Sequence, residues 1–468
     1  MLWLAIHLPH LALELFGPSA QPFVVVDGPA NRPVVHARNR AAAAAGIKRG
    51  MTLSAARSLC GGLTAQPRDP AAEQAALESL AAWAGQYTSQ ISLHAPTGLL
   101  LEIGGSLNLF GGITALQENI GAGLRELGYH PKPGIAPTPL GAWLLARAGV
   151  TEPAADRAEL TRRLHPLPIE LLEVKEQTLR ALHGLGLATL GDCLRLPRGG
   201  LARRLTPDLL LQLDRAFGLL PDPRPAYVPP ATFAARIALP ADVENSEALL
   251  FPIRRLLLEL AGLLRAKNAG VQELRLQLEH HGRAASLISL GLVQASRDAA
   301  HLLALLRERL DRFELPAPVE AIALHAERFP DLDKTEPELF GDATRGSGDW
   351  AVLVERLRAR LGSDAVIGVQ LNADHRPEQR WQETTPGAPS SPPAAADGKR
   401  PLALLAAPQP QEAHNLRLLG GPERIETGWW DGRDAVRDYF VAATAAGQRL
   451  WIYRDGADGR WWMQGIFS

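Results

Sequence analysis

The chain reads as an α+β protein of several domains. Strand-like and helix-like periods alternate through residues 1–150, a strand-free helical stretch punctuated by glycines follows, and residues 232–328 combine alternating runs with two apolar helices. At 468 residues, with 46% hydrophobic and 21% charged, it has ample material for more than one core.

In order, Leu2 to Ile6 and Pro22 to Asp27 read as short buried strands, with a helical pattern over 9–16 between them. The Ala- and Arg-rich run 37–59, broken at Gly46 and Gly50, predicts two short helices, and 69–84 predicts a longer one ended by Gly85. Ser92–His94 and Gly98–Ile103 form a hairpin pattern, Thr114–Leu127 an amphipathic helix and Lys132–Ile135 a strand. Residues 164–217 are helical. Helices near 246–266 and 298–312, with alternating runs at 271–280, 285–293 and 319–329, predict a small sheet covered by two helices. Residues 376–411 hold eight prolines and little periodic apolar content, and read as a flexible linker. Five of the ten tryptophans fall within 422–468, which predicts a small β module whose aromatics form its core or a binding face.

Composition excludes several classes. The 49 Lys and Arg nearly balance 50 Asp and Glu, so any nucleic-acid surface is local. No apolar run is long enough to span a bilayer, and the N-terminus, broken at Pro9, lacks a basic n-region, so a cytoplasmic protein is expected. Two cysteines, Cys60 and Cys193, make neither a zinc site nor a disulfide framework and read as small hydrophobes.

The strings IHLPHLALELF (6–16) and SLHAPTGLLLEIGGSLNLF (92–110), in their strand–helix order, resemble the palm of Y-family translesion DNA polymerases. The resemblance implies a right-hand fold of palm (1–20 and 75–163), fingers (21–74), thumb (164–230) and little finger (231–332), then a connector (333–375), the linker and a Trp-rich C-terminal module (412–468). In that family, palm carboxylates hold two Mg²⁺ that activate the primer hydroxyl and neutralise the triphosphate. The matching positions here are His7, Pro9, Thr97, Gly98 and Glu102, of which only Glu102 is acidic. Mg²⁺ needs several hard oxygen ligands, so imidazole, proline and glycine cannot replace the carboxylates. The bland reading of Glu102 is a solvated strand residue. Counting back from Gly46-Ile47-Lys48-Arg49-Gly50-Met51, the family's triphosphate-binding Tyr and Arg fall on Arg40 and Ala43, and a further Lys maps near Trp143.

With AIHLPHLALE, SLNLFGG, RLGSDAVIGVQLNADHRPEQRW and GPERIETGWWDG in order, nearly the whole chain resembles the non-catalytic Y-family-like group of the bacterial damage-induced mutagenesis cassette. That implies no cofactor, and an adaptor that binds DNA and the sliding clamp and recruits an error-prone C-family polymerase and a RecA-like companion. Within it, LHGLGLATLGDCLRLPRGGLARRL (182–205) fits a helix–hairpin–helix, with Gly184 and Gly186 offering amides to a phosphate and Arg195, Arg198, Arg203 and Arg204 a cationic stripe. Glycines that merely end a helix and arginines on a solvated face are the bland alternative. Little-finger charges sum to zero over 236–328, so contact there needs one face; Arg236, Arg254, Arg255 and Lys267 are the candidates, with Arg265, Arg275 and Arg283 nearby. Thr335-Glu336-Pro337-Glu338-Leu339-Phe340 resembles a clamp-binding peptide, but Glu336 stands where Gln is expected. Trp429, Trp430, Trp461 and Trp462 are the candidate partner-docking residues. An active polymerase with an unusual metal site, and a protein scaffold without DNA binding, remain the alternatives.

Overall fold

A computed structural model describes residues 1–196, 207–332, 343–388, 400–430 and 432–467. The chain divides into two compact units, Met1–Ser347 and Gly348–Ser468.

The first unit opens with β1 (Trp3–His7) and a single helical turn, α1 (Leu11–Glu14). Next come β2 (Phe23–Asp27), β3 (Val34–Arg38), α2 (Arg40–Ala44), α3 (Leu53–Leu59), β4 (Thr64–Pro67) and α4 (Pro70–Ala84). The sheet β3-β2-β4 carries α2 and α3, so the Ala/Arg-rich stretch expected as two helices begins with a strand. Composition hid it: β3 is five residues long with only alternate positions buried, and β4 pairs in parallel with β2 through the polar run TAQP.

β5 (Ile91–His94), β6 (Gly98–Glu102), α5 (Ile113–Glu126), β7 (Lys132–Ala136) and α6 (Pro139–Ala148) follow in the region expected as palm, where an antiparallel sheet runs β5-β6-β1-β7. Side chains alternate across a strand. Leu4, Ile6, Leu99 and Leu101 join the core with α4 and α5. Ala5 and Leu100 face the other way, into the core with α6 and the helices beyond it. His7 and Gly98 share that second face by the same alternation.

α7 (Arg157–Leu164), α8 (Glu176–Gly184), α9 (Leu190–Arg195) and α10 (Pro207–Ala216) form the strand-free helical region. Then β8 (Phe233–Val243), α11 (Ser246–Ala266), β9 (Val271–His280), β10 (Arg283–Ser296), α12 (Ala299–Leu310) and β11 (Val319–Ala326) give a fully antiparallel sheet, β10-β9-β11-β8, with two helices, as expected. α11 packs on α4 at a close approach: a Cβ on Gly262 would sit 2.2 Å from the Trp83 ring, so only glycine lets these helices meet.

The second unit takes up most of α13 (Ala343–Leu361), then the hairpin β12 (Gly368–Leu371) and β13 (Trp381–Thr384). Its main sheet joins β14 (Ala403–Pro410), β15 (Arg417–Thr427), β16 (Ala435–Ala443), β17 (Arg449–Asp455) and β18 (Trp461–Ile466) in the order β14-β18-β17-β16-β15. The Pro-rich stretch 376–411 is therefore not a linker throughout. It holds β13 near its start and β14 at its end, with 389–399 outside the described residues. Pro408 and Pro410 sit in the edge strand β14, where a missing N–H is tolerated. The architecture is α+β and multidomain, with a small β-rich module in the second unit.

Candidate functional site

The register of the palm sheet sets His7 directly opposite Gly98 on one side and Lys132 on the other. His7 and Gly98, two of the positions expected to match the family's metal motif, are thus neighbours in space. Leu8 N–H donates to the Thr97 carbonyl at 2.8 Å, fixing the hairpin turn beside them. Pro9 follows in the turn into α1.

What faces these residues is not open space. Trp143, on α6, is 2% exposed and lays its indole over Gly98, where an added Cβ would meet the ring at 2.2 Å. The ring lies edge-on to His7 at 5.1 Å and against His94 at 4.1 Å. A side chain at 98 and the indole at 143 cannot occupy this volume together.

One carboxylate reaches the cleft, and it comes from an unexpected place. Glu173, just after a 3-10 turn at Ile169–Leu171, accepts from Trp143 Nε1 at 2.9 Å and from His94 Nε2 at 3.2 Å, with Arg147 3.7 Å away. Burial alone would push its carboxyl up; the His94 and Trp143 hydrogen bonds and the Arg147 charge outweigh that and hold it down to about 2. Arg224 Nη1 donates to His94 Nδ1 at 3.4 Å, leaving Nε2 to carry the proton given to Glu173. Burial, reinforced by Arg147, Lys132 and His10, lowers His7 to about 4, so its imidazole is neutral at neutral pH; its Nδ1 is buried without a partner. Glu173 follows no motif, so nothing in the sequence marked it.

The other two acids near the strand are engaged elsewhere. Glu102 pairs opposite Trp3, at the far end of β1 from His7, and accepts from Leu2 N at 3.0 Å and Gly104 N at 3.2 Å. It caps the Leu2 and Gly104 amides rather than standing freely solvated. Glu14 accepts from the backbone N–H of His130 and stands 3.0 Å from its Nδ1. Among the described residues, no group of three or more His, Cys, Asp and Glu is placed to hold a metal ion. The cleft's donor set, two imidazoles and one carboxylate already held by N–H groups, does not fit a pair of Mg²⁺ ions. Of the triphosphate positions, Arg40 starts α2 and is exposed, Ala43 is half-buried, and Trp143 is the cleft's plug.

The thumb positions are less available than the sequence suggests. Gly184 ends α8 and Gly186 adopts φ +75°, but the amides of Leu185, Gly186 and Leu187 donate to carbonyls of residues 181–183. Those of Ala188, Thr189, Leu190 and Gly191 go to Asp192, Leu167 and His165. The glycines close a helix rather than cradle a phosphate, which corrects that expectation. Arg195 is exposed and pairs with Asp192 at 3.4 Å. Arg198, Arg203 and Arg204 lie outside the described residues, as do Glu336, Leu339 and Phe340 of the clamp-like peptide.

In the little finger, Arg255 must be withdrawn as a DNA contact. It is 7% exposed, donates to the Glu14 carbonyl at 3.0 Å, lies 3.5 Å from Glu259 and caps the Tyr129 ring at 4.5 Å. Its role is to join α11 to the palm. Apolar periodicity placed it on α11 without saying which face it occupied. Arg236 is held by Glu279 at 2.8 Å; Arg254 is exposed with no ion-pair partner among the described residues; Lys267 lies over the Phe329 ring at 5.6 Å.

Comparison with known proteins fits this geometry. A protein-family profile, the impB/mucB/samB family, matches residues 14–147, from α1 through the fingers and palm hairpin to α6. Protein ImuB of Caulobacter vibrioides is 28% identical over 459 residues, covering 90% of this chain and 100% of that protein; the figures are the same for strains NA1000 and ATCC 19089.

The chain is ImuB-like.

Solved structures with some likeness include DinB from Sulfolobus solfataricus and an insertion ternary complex of Dbh DNA polymerase. Each is 17% identical and matches 71% of this chain and all of its own, at TM-scores of 0.40 and 0.41, too low to bear on activity. The ImuB likeness extends well beyond the hand and so into the C-terminal unit, where the four candidate tryptophans part company. Trp461 packs on Phe440 at 5.2 Å and Trp462 joins the core around Tyr439 and Trp451, so both serve the sheet. Trp429 and Trp430, in the turn between β15 and β16, are 77% and 61% exposed and meet edge-to-face at 5.5 Å.

Proposed function

We propose that this chain is a non-catalytic translesion-synthesis adaptor: a pseudo-polymerase that binds DNA and the sliding clamp. It would bring an error-prone C-family DNA polymerase and the RecA-like ImuA to damaged DNA in damage-induced mutagenesis. Such work places it in the cytoplasm, at the nucleoid. The observation that carries the reading is the plugged cleft. His7 and Gly98 stand where metal-binding acids are needed, and Trp143 covers them while Glu173 is tied by hydrogen bonds to Trp143 and His94 and faces Arg147. Phosphoryl transfer depends on positioned metal ions and charge stabilisation, and this donor set supplies neither.

Primer extension with Mg²⁺ or Mn²⁺, run beside a DNA mobility shift, tests it. A shift without incorporation supports the adaptor, incorporation by the purified chain refutes it, and absence of both leaves a scaffold that does not touch DNA. Reversing Arg203 and Arg204 to Glu should weaken binding to primer–template DNA and flatten its salt dependence by about two units of slope. Unchanged affinity and slope would move the DNA contact away from the thumb. Recruitment is tested by co-purification with the clamp, the polymerase and ImuA, comparing the wild-type chain with Leu339→Ala/Phe340→Ala and Trp429→Ala/Trp430→Ala.

A further inference from the structure

Exposed large apolar side chains cluster in one stretch. Nine lie between 350 and 381: Trp350, Val352, Leu353, Leu357 and Leu361 on α13 and Ile367, Val369, Leu371 and Trp381 on or beside the β12–β13 hairpin. Single exposed apolar residues are ordinary on a soluble protein, but a run of this kind marks a contact surface.

The helix shows what kind of contact. At 3.6 residues per turn, Trp350, Leu353, Leu357 and Leu361 fall within an arc of about 80°. Of the buried positions, Ala351, Glu355 and Ala359 lie away from this arc, Val354 flanks it at the edge of Leu361, and exposed Val352 falls outside it. Arg356 and Arg360, one turn apart, follow directly along one edge of the exposed arc. Neither has an ion-pair partner among the described residues, whereas Glu355, the acid within 350–361, is only 4% exposed. Among the side chains described, the outward face therefore carries an apolar stripe with arginines along one edge.

We propose that this face of α13 docks an amphipathic helix of a partner protein, one whose leucine-type stripe is edged by Asp or Glu. Helix-in-groove recognition reads apolar anchors at i, i+3 or i+4 and i+7, and Trp350, Leu353 and Leu357 supply the matching set, which Leu361 extends by one more turn. The two arginines select sign and direction, since like charges across such a seam are repulsive. This surface does not depend on the state of the palm cleft, so it stands whether or not the chain polymerises.

Fluorescence anisotropy on the full chain tests it with two labelled 18-residue synthetic helices that share one leucine stripe, one edged with Glu and the other with Lys. The Glu helix should bind at least tenfold more tightly than the Lys helix. Arg356→Glu/Arg360→Glu should invert that preference, and Leu353→Ala/Leu357→Ala should lose both ligands, with circular dichroism unchanged. Equal binding of the two helices, or binding that survives the leucine substitutions, overturns the proposal. So does a concentration-dependent dimer that the leucine substitutions dissolve, because a second copy would then be the occupant.

Discussion

Trp143 and the pair Trp429–Trp430 are the same residue type put to opposite use. The palm residue gives its N–H to Glu173 and packs its ring against His7, Gly98 and His94, leaving it 2% exposed. The pair in the β15–β16 turn touch mainly each other and water. An indole carries about 150–250 Å² of contact area, and whether that area is already covered decides whether it holds a fold or awaits a partner. The first unit has covered its indole with its own side chains; the C-terminal turn has left its pair open.

The sharpest break of this comparison is truncation on each side. Trp143→Ala should cost about 3–5 kcal/mol in urea unfolding, through lost burial and the cavity left behind. Trp429→Ala/Trp430→Ala should move stability by no more than about 0.5 kcal/mol while abolishing co-purification with whichever partner docks there. Equal stability losses would mean that the exposed pair is core after all.

Arg255 extends the same contrast to the cations. Arg255→Ala should destabilise by about 3 kcal/mol, because it leaves Glu259 buried and uncompensated and frees the Glu14 carbonyl. Arg254→Ala, one position along α11 and exposed, should be near neutral for stability. If DNA affinity falls for Arg254 and not for a refolded Arg255→Lys protein, the little finger's DNA face is the exposed side of α11.

Much of this was legible beforehand, and the gaps have physical causes. Strong periodicity gave α4, α5, α11 and the β5–β6 hairpin, and a motif spaced along two strands placed His7 beside Gly98. Periodicity does not say which element a polar residue will face across a tertiary contact, which is why Arg255 misled. Glu173 was invisible because its role exists only once a loop far along the chain folds against α6. Gly186 looked like an open phosphate site because sequence shows a glycine's freedom but not where its neighbours' amides point. The β14 strand was missed because proline content outweighed its short apolar run ALLAA.

The smallest effect probes how dry the plugged cleft is. His7 has its folded value lowered to about 4 by burial and by Arg147 and Lys132, against an ordinary 6.5, so folding favours the neutral ring. That contribution is complete above pH 6.5 and is lost as pH falls from 6.5 towards 4, the unfolded chain taking the proton first. Glu173, held down to about 2, acts in the same direction but only below its ordinary 4.5, so between pH 6.5 and 4.5 the cleft's response belongs to His7. Wild-type protein should lose about 1 kcal/mol more than His7→Leu between pH 7 and pH 5, after discounting for solvent screening of a half-buried ring. Trp429→Ala/Trp430→Ala, which leaves His7 and its neighbours unchanged, should keep the wild-type slope. Parallel slopes for wild type and His7→Leu would mean that water reaches the imidazole and that Trp143 does not seal the cleft.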